Sequence, residues 1–353
     1  MARIVGVIAE YNPFHAGHAH HLRQARKAAG ADYVVVIMST CFTQRGDPAI
    51  LSPAQRVCMA LSCGADAVFA LPAVWAVRDA EHFALGGTAI LSGIGCDALS
   101  FGSEMQDLSL LQATATMLEK PDSAFSDAVR AGMSTGIPYP AAAAKAAEDH
   151  LPGARSLLSQ PNSTLAICYL RSLLRLGSPM EVVPVLREAA YHDTTLGDAL
   201  PSATALRGAI LRGDWRSVQR AMPVEAYAIL KSAAADDSLH LPDALDSALL
   251  YRLRTMTESE YSALPDVSEG IEYRLMKAAA EATSREDLLS LAKTRRYPYA
   301  RLSRLATHAL LGMDDRLLHS LPLPDCAWLL GFRRDASPLL NELSRRSKLR
   351  IIS

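Results

Sequence analysis

Ile4-Val5-Gly6-Val7-Ile8-Ala9 is an almost uniformly apolar run that Glu10-Tyr11-Asn12-Pro13 interrupts and Phe14-His15-Ala16-Gly17-His18 restarts in a helical pattern. A run of that kind suits a parallel strand covered on both faces, and Asn-Pro supplies the turn that ends it. A strand passing through a tight turn into a helix is the opening unit of an α/β sheet, and it leaves the chain few other folds. The N–H groups of the helix's first turn then face whatever lies above the carboxyl end of the strand, where open α/β sheets hold their ligands. His15 and His18 are three residues apart and share one face of that turn, with Gly17 between them letting backbone come close to a ligand. Together the imidazoles offer donors, or positive charge, to an anion that gains charge during a reaction. The plainer alternative is a pair of surface or capping histidines at a helix start.

Further apolar runs alternate with helical patterns. Strands are expected at Tyr33 to Ser39, Ala67 to Leu71, Asp97 to Phe101 and Val182 to Leu186. Helices are expected at Gly17 to Ala29, Pro53 to Cys63, Ala80 to Gly93, Ser109 to Glu119, Ser123 to Ala131 and Tyr139 to Ala147. Repeated strand, helix, strand means a doubly wound parallel sheet. After Asp214 the strand signal fades and Ala, Leu and Arg dominate, so an α/β domain over 1–213 and a helical domain over 214–353 are expected. A length of 353 residues agrees with two domains, and 50% hydrophobic content suffices for a real core. No apolar stretch reaches membrane-spanning length, and the opening run, ended by Glu10 and Pro13, is no signal peptide; a soluble cytoplasmic protein is expected. Cys41, Cys58, Cys63, Cys96, Cys168 and Cys326 form no C-x-x-C pair, so neither a zinc site nor a disulfide framework is indicated. They read as mostly buried small apolar residues, with Cys41 in a polar loop. Gly46, Gly102 and Gly197 fall in loops or near strand ends without forming G-x-G-x-x-G, so a dinucleotide fingerprint is missing.

A second polar constellation, Ser202-Ala203-Thr204-Ala205-Leu206-Arg207, follows the last expected strand. Ser202 is a natural N-cap, and Arg207 in the first turns of the same helix can reach an anion at the helix N-terminus. Taken alone it is also what an ordinary capped helix with a surface Arg looks like. Two such N-termini flanking one sheet edge could clamp a triphosphate from both sides. Charge is uneven: the net charge is −1, yet from Arg285 onward thirteen Lys or Arg stand against seven Asp or Glu. Clusters lie at Lys293, Arg295 and Arg296, at Arg301 and Arg304, at Arg333 and Arg334, and at Arg345, Arg346, Lys348 and Arg350. Solvated helix faces account for such clusters, but Tyr297 and Tyr299 beside Arg295 and Arg296 also offer the aromatic and guanidinium planes that unstacked RNA bases meet.

His15-Ala16-Gly17-His18 with Ser202 to Arg207 resembles the HIGH-type nucleotidyltransferase superfamily of adenylate-forming, Rossmann-like proteins. Glu10 to His18, Gln44-Arg45-Gly46-Asp47-Pro48-Ala49, Ser100-Phe101-Gly102-Ser103-Glu104, Pro161-Asn162-Ser163, Tyr191-His192 and Lys293-Thr294-Arg295-Arg296-Tyr297 are similar to the family of bacterial tRNA(Met) cytidine acetate ligases. The likeness runs from about Ile4 to Leu311. It departs at Ser39-Thr40-Cys41-Phe42, where the family reads Ser-Gly-Asn-Phe; losing Gly restricts φ and losing Asn removes an amide that could bind substrate. The chain also ends earlier than many such proteins, so a reduced outer part of the RNA-binding domain is expected.

The resemblance implies a two-step reaction. Acetate attacks the α-phosphorus of ATP to give acetyl-adenylate and pyrophosphate. The exocyclic amine of the wobble cytidine (C34) of elongator tRNA(Met) then attacks the acetyl carbonyl, releasing AMP and leaving N4-acetylcytidine. No protein nucleophile is needed, in keeping with a sequence that has no convincing Ser-His-Asp or Cys-His arrangement. The resemblance implies an ATP site from Val7, Ile8, Ala9, Glu10, Tyr11, Asn12, Pro13, Phe14, His15, Gly17, His18 and His20, completed by Gly102, by Asn162 and Arg187 from later loops, and by Ser202 and Arg207. His15, His18 and Arg207 take the catalytic part; Arg45, Lys293, Arg295, Arg296, Tyr297, Arg301 and Arg304 meet the tRNA. A magnesium ion is expected on the triphosphate, held mostly by phosphate and water, with no dedicated protein metal site. Two other classes stay open: a small-molecule adenylyltransferase of the coenzyme-building kind, and a catalytically silent RNA-binding protein on the same scaffold. The large basic helical region favours an RNA substrate over the first, and intact His15, His18, Ser202 and Arg207 speak against the second.

Overall fold

The computed structural model describes residues 1–105, 107–186, 202–268, 270–294 and 297–353. Strands β1 (Ile4–Ala9), β2 (Tyr33–Ser39), β3 (Ala67–Leu71), β4 (Ala98–Ser103), β5 (Glu181–Leu186), β6 (Cys326–Phe332) and β7 (Arg350–Ile352) form a seven-stranded sheet in the order β5-β4-β1-β2-β3-β6-β7. The first five strands are all parallel. Chain order runs outward from β1 through β2 and β3 on one side and returns through β4 and β5 on the other. The direction therefore reverses between β1 and β4, which makes the crevice above their carboxyl ends the expected ligand position of a doubly wound sheet.

Alternation along the strands builds two cores. Ile4, Val35, Ile37, Phe69 and Leu99 face one side, under the helices Ala80–Gly93, Leu108–Glu119 and Pro161–Leu176. Val5, Val7, Val34, Val36, Met38 and Val68 face the other, under α1 (Ala16–Ala29) and α2 (Pro53–Ser62). Helices Ala203–Leu211, Trp215–Ala221 and Val224–Ala235 pack on that same second side through Leu206, Val218 and Leu230. A separate helical core then forms from Leu249, Leu253, Leu275, Leu288, Leu302 and Leu305.

Strands β2 and β3, α1 to within a residue and the helix Ala80–Gly93 fall where their patterns place them. The expectation of helix throughout 214–353 needs correction, because the chain returns to the sheet as β6, antiparallel to β3, and β7, parallel to β6. Cys326–Phe332 is a short apolar run between Pro322-Leu323-Pro324-Asp325 and Arg333-Arg334-Asp335. Periodicity cannot separate such a run from a buried helical turn, and its Ala- and Leu-rich surroundings favour the wrong choice. The cysteines also differ from expectation. Only Cys96 and Cys168 are buried, while Cys41 and Cys58 are exposed, and all six are free. Among the described residues no helix is long and apolar enough to cross a membrane.

Candidate active site

The loop between β1 and α1 is set by its own sequence. Tyr11 adopts φ 50, the Asn12-Pro13 peptide is cis, and the chain re-enters a helix at Ala16. His15 is the N-cap, with extended backbone. Its Nδ1 accepts from the Gly17 N–H at 3.1 Å, and the Nδ1 of His18 accepts from the His15 N–H at 3.2 Å. The two imidazoles thus form a capping box, the arrangement more often made by a hydroxyl and a carboxylate. A backbone N–H can only donate, so each Nδ1 is unprotonated and the ring proton sits on Nε2. Both rings are therefore neutral donors through Nε2–H, and the alternative of imidazolium charge is not the state this cap holds. They stack at 3.7 Å with 22° between planes, and Tyr11 lies edge-on to His18 at 4.9 Å.

Gly17 has a different reason from the one its sequence suggests. A Cβ there would lie 2.9 Å from Cε1 of His15, so the glycine makes room for the folded-back imidazole. The capping alternative and the functional one therefore coincide: the histidines cap α1 and also line a cavity.

That cavity, about 330 Å³, opens above the carboxyl ends of β1 and β4. Ile8, Ala9, Glu10, Tyr11, Asn12, His15, Gly17, His18, His20, Gly102, Asn162, Ser202 and Arg207 all line it, so the structure brings together the main body of the expected nucleotide site. Ser202 caps its helix by accepting from the Ala205 N–H at 3.1 Å, and Arg207 donates through Nη1 to the Asn12 carbonyl at 2.7 Å. The two motifs, far apart in sequence, are hydrogen-bonded to each other. The Glu104 carboxylate accepts from the N–H and Nδ2 of Asn162 and from the N–H and Oγ of Ser163. It caps the helix Pro161–Leu176 in place of Gln160, whose side chain makes no cap bond. Asn162 therefore reaches the cavity from a helix's first turn and not from a loop. Hydrogen bonds from Ser163 and Asn162 outweigh desolvation and hold the Glu104 carboxyl below the usual range. Glu10 behaves oppositely: burial pushes its carboxyl up, partly offset by the Gln44 N–H, which donates to it at 2.5 Å, and by Arg207 and Arg45.

Several expected site residues fall elsewhere. Val7 and Phe14 are buried in the core beneath the site, and Pro13 is buried without reaching the cavity wall. Strand alternation explains Val7, and the ring of Phe14 packs on Tyr11 at 4.8 Å. Tyr297 is 4% exposed, with its hydroxyl held by Ser268, so it is a helical-core residue whose ring cannot stack on a base. Arg301 covers that ring at 4.3 Å and donates to the Asp266 carbonyl at 2.7 Å. Arg304 is partly buried, Lys293 and Arg45 are exposed, and Arg45 lines the cavity. Arg187, Arg295, Arg296, Tyr191, His192 and Gly197 lie outside the described residues. The basic tail is also less available than its count suggests: Arg333 pairs with Asp335 and Asp66, Arg346 with Asp97 and Glu342, and Arg285 with Asp47.

Sequence reasoning missed Arg56. It is fully buried on α2 and donates to the carbonyls of Glu10 at 2.7 Å, Ser39 at 2.9 Å and Leu51 at 3.2 Å, which pins the ends of β1 and β2 together. Burial brings its guanidinium down to about 10. Gln44, Thr204 and Tyr169 also line the cavity, and of these Gln44 and Thr204 lie within motifs the sequence shows. Thr40 and Cys41, where the sequence departs from the family pattern, are not on the cavity wall.

The HIGH Nucleotidyl Transferase family matches residues 2–353. A tRNA(Met) cytidine acetate ligase of Bacillus subtilis is 34% identical over 360 residues, covering 99% of this chain and 87% of that protein. One of Anoxybacillus flavithermus is 39% identical over 319 residues, covering 89% of this chain and 79% of that protein. The chain belongs to the tRNA(Met) cytidine acetate ligase family of HIGH nucleotidyl transferases. Two solved structures agree with the fold. The apo form of Thermotoga maritima TmcAL superposes with a TM-score of 0.94 at 28% identity, covering 99% of this chain and 86% of that one. The same protein bound with alpha-thio ATP superposes with a TM-score of 0.92 at 28% identity, with 99% and 85% covered.

Proposed function

We propose that the protein activates acetate with ATP and transfers the acetyl group to N4 of the wobble cytidine of elongator tRNA(Met). The observation that carries this reading is the single cavity shared by the histidine pair and the Ser202 helix, joined by the bond from Arg207 to the Asn12 carbonyl. In the first step the acetate oxygen bonds to the α-phosphorus while the bond to the bridging oxygen breaks, and charge moves onto pyrophosphate. Preorganised donors aimed at that charge are what the step needs. The Nε2–H groups of His15 and His18 supply two, and the N–H groups at the start of the Ser202 helix and Arg207 supply the facing side. In the second step the cytidine amine attacks the acetyl carbonyl, loses its proton, and AMP leaves. Magnesium would arrive as part of the ATP complex. Among the described residues no cluster of three His, Cys, Asp or Glu could cage it.

The proposed RNA face comprises Arg45 on the cavity wall together with Lys293, Arg295, Arg296, Arg301 and Arg304. Support comes from Arg45 lining the cavity and from the neighbouring Gly46 backbone, which lies against the Ser303 and Arg304 backbone of the helical region. The test incubates the protein with ATP, radiolabelled acetate and tRNA transcripts. Label on elongator methionine tRNA alone is the expected result. Acetate-dependent pyrophosphate exchange with no label on any RNA would overturn the RNA substrate.

A further inference from the structure

One short loop touches both the cavity and the helical core. On its inner side the Gln44 N–H donates to the Glu10 carboxylate at 2.5 Å, the Gln44 amide donates to the Arg78 carbonyl at 2.5 Å, and Arg45 lines the cavity. On its outer side the Gly46 carbonyl accepts from Thr307 Oγ1 at 2.6 Å and from Arg285 Nη2 at 3.2 Å. Asp47 Oδ1 accepts from the same Arg285 nitrogen at 2.9 Å and from Ser303 Oγ at 3.3 Å. Gly46 has φ +81, and a Cβ on it would lie 2.7 Å from the Ser303 carbonyl oxygen and 2.8 Å from the Arg304 nitrogen, so the loop backbone sits flat on the helix Tyr299–Leu311. Arg285 is 9% exposed, and Ser303 and Thr307 are buried. This is a seat between two cores, and its cation cannot at the same time meet RNA.

We infer that Arg285, acting through the Gly46 carbonyl and Asp47, is a positioning residue of the ATP cavity, so that the helical core completes the nucleotide site instead of serving only as an RNA platform. The inference rests on the proposed occupation of the cavity by ATP, but not on acetate or tRNA. The physical reason is shortness. Only Arg45 separates Gln44, which holds Glu10, from Gly46, which the helical core holds, so a loop released at Gly46 and Asp47 cannot keep its inner contacts in place. A buried guanidinium with three acceptors on two elements is a rigid fastener, because any movement of the loop leaves a desolvated charge poorly paired.

The test uses the full chain and four variants, Arg285→Met, Asp47→Asn, the double variant and Arg285→Lys, with Thr307→Val as a milder fifth. Thermal unfolding, the Kd for ATP by titration calorimetry, and binding of a tRNA(Met) transcript are measured for each. Arg285→Met and Asp47→Asn are each expected to raise the Kd for ATP roughly tenfold, the scale of one charge-assisted hydrogen bond. The double variant should be no worse than the poorer single one, because both remove one contact. Arg285→Lys should recover part of the affinity, and tRNA binding should stay within about twofold throughout, since Arg285 is buried. A folded Arg285→Met with wild-type ATP affinity, or effects that add in the double variant, would overturn the inference; so would loss of tRNA binding with ATP affinity unchanged. Should Arg285→Met fail to fold, Thr307→Val decides: a several-fold weaker Kd supports the seat and an unchanged one overturns it. Wild-type protein that binds ATP yet labels no RNA removes the proposed tRNA reaction and leaves this inference standing.

Discussion

His18 has two separable duties, and two substitutions divide them. Its Nδ1 accepts the His15 N–H at 3.2 Å, which completes the cap of α1, and its ring lines the cavity, where we propose its Nε2–H as the donor to phosphate. Asparagine places an amide oxygen near the Nδ1 position but reaches no further. His18→Asn should therefore keep the cap to within about 0.5 kcal/mol. It should slow acetate-dependent adenylation roughly 10²- to 10³-fold, which corresponds to the ~2.7–4 kcal/mol lost with one preorganised donor. Glutamine does the reverse, carrying an N–H near the Nε2 position while leaving the His15 N–H without its acceptor. His18→Gln should cost about 1–2 kcal/mol of stability and retain adenylation within roughly tenfold. His18→Ala should show both losses. Urea unfolding gives the stability differences, and pyrophosphate exchange with acetate gives the rate. A His18→Asn enzyme that exchanges at the wild-type rate would refute the donor assignment, as would a stable His18→Gln enzyme as slow as His18→Ala.

Glu104→Gln removes the charge that caps the helix Pro161–Leu176 and should cost about 1–2 kcal/mol in urea unfolding, with a several-fold rise in KM for ATP as Asn162 loosens. Gly46→Ala, at φ +81 with no space for its Cβ, should destabilise by about 2 kcal/mol or more and lower the unfolding midpoint; wild-type stability would contradict the docking described for that loop. If the RNA is held through Arg45, Lys293 and their neighbours, log K should fall with log salt by about 0.7 for each phosphate contacted, and Lys293→Glu should reduce the slope by one contact; a flat dependence would remove the RNA face. Burial raises the Glu10 carboxyl, with the Gln44 N–H, Arg207 and Arg45 opposing and Asp47 reinforcing the rise, and an arriving triphosphate raises it further. Binding should then take up a proton and weaken as pH rises above the usual carboxylate range, a dependence that Glu10→Gln should flatten in calorimetry across buffers of different ionisation enthalpy.

The part of the site legible in the sequence is the part whose chemistry is local. A strand, a turn and a cap occupy consecutive residues, so β1, the break at Asn12-Pro13 and the cap of α1 follow from the order of residue types alone. Ser202 as N-cap is legible for the same reason. What was not legible depends on distant partners. Nothing near Arg56 in the chain announces that it will be buried against the Glu10 and Ser39 carbonyls, and nothing near Tyr297 announces that Ser268 will take its hydroxyl. The excess of Lys and Arg in the tail overstates its available charge, because sequence counts charge without pairing it; Arg346 and Arg333 pair with Asp97, Glu342, Asp335 and Asp66. The strand β6 was missed because a short apolar run has no period to read.

The capping box also decides how the cavity distributes charge. Two imidazolium rings stacked at 3.7 Å would repel by about 4 kcal/mol even at an effective dielectric near that of a protein surface, and each would lose the acceptor its cap requires. Neutral donors avoid both costs, and because their protons already sit on Nε2 they need no reorganisation when pyrophosphate gathers charge. Among the described residues on the cavity wall, Arg207 and Arg45 bring fixed positive charge and oppose the Glu10 carboxylate from two different elements. Arg207 is anchored on the same loop as the histidines, through the Asn12 carbonyl, so its position follows that loop. The residues that follow Arg45 are seated on Arg285 and Thr307 of the helical region. Arg45, which opposes the buried carboxylate, thus stands directly before two residues that the helical region holds, so the charge of the cavity and the proposed RNA face share one support.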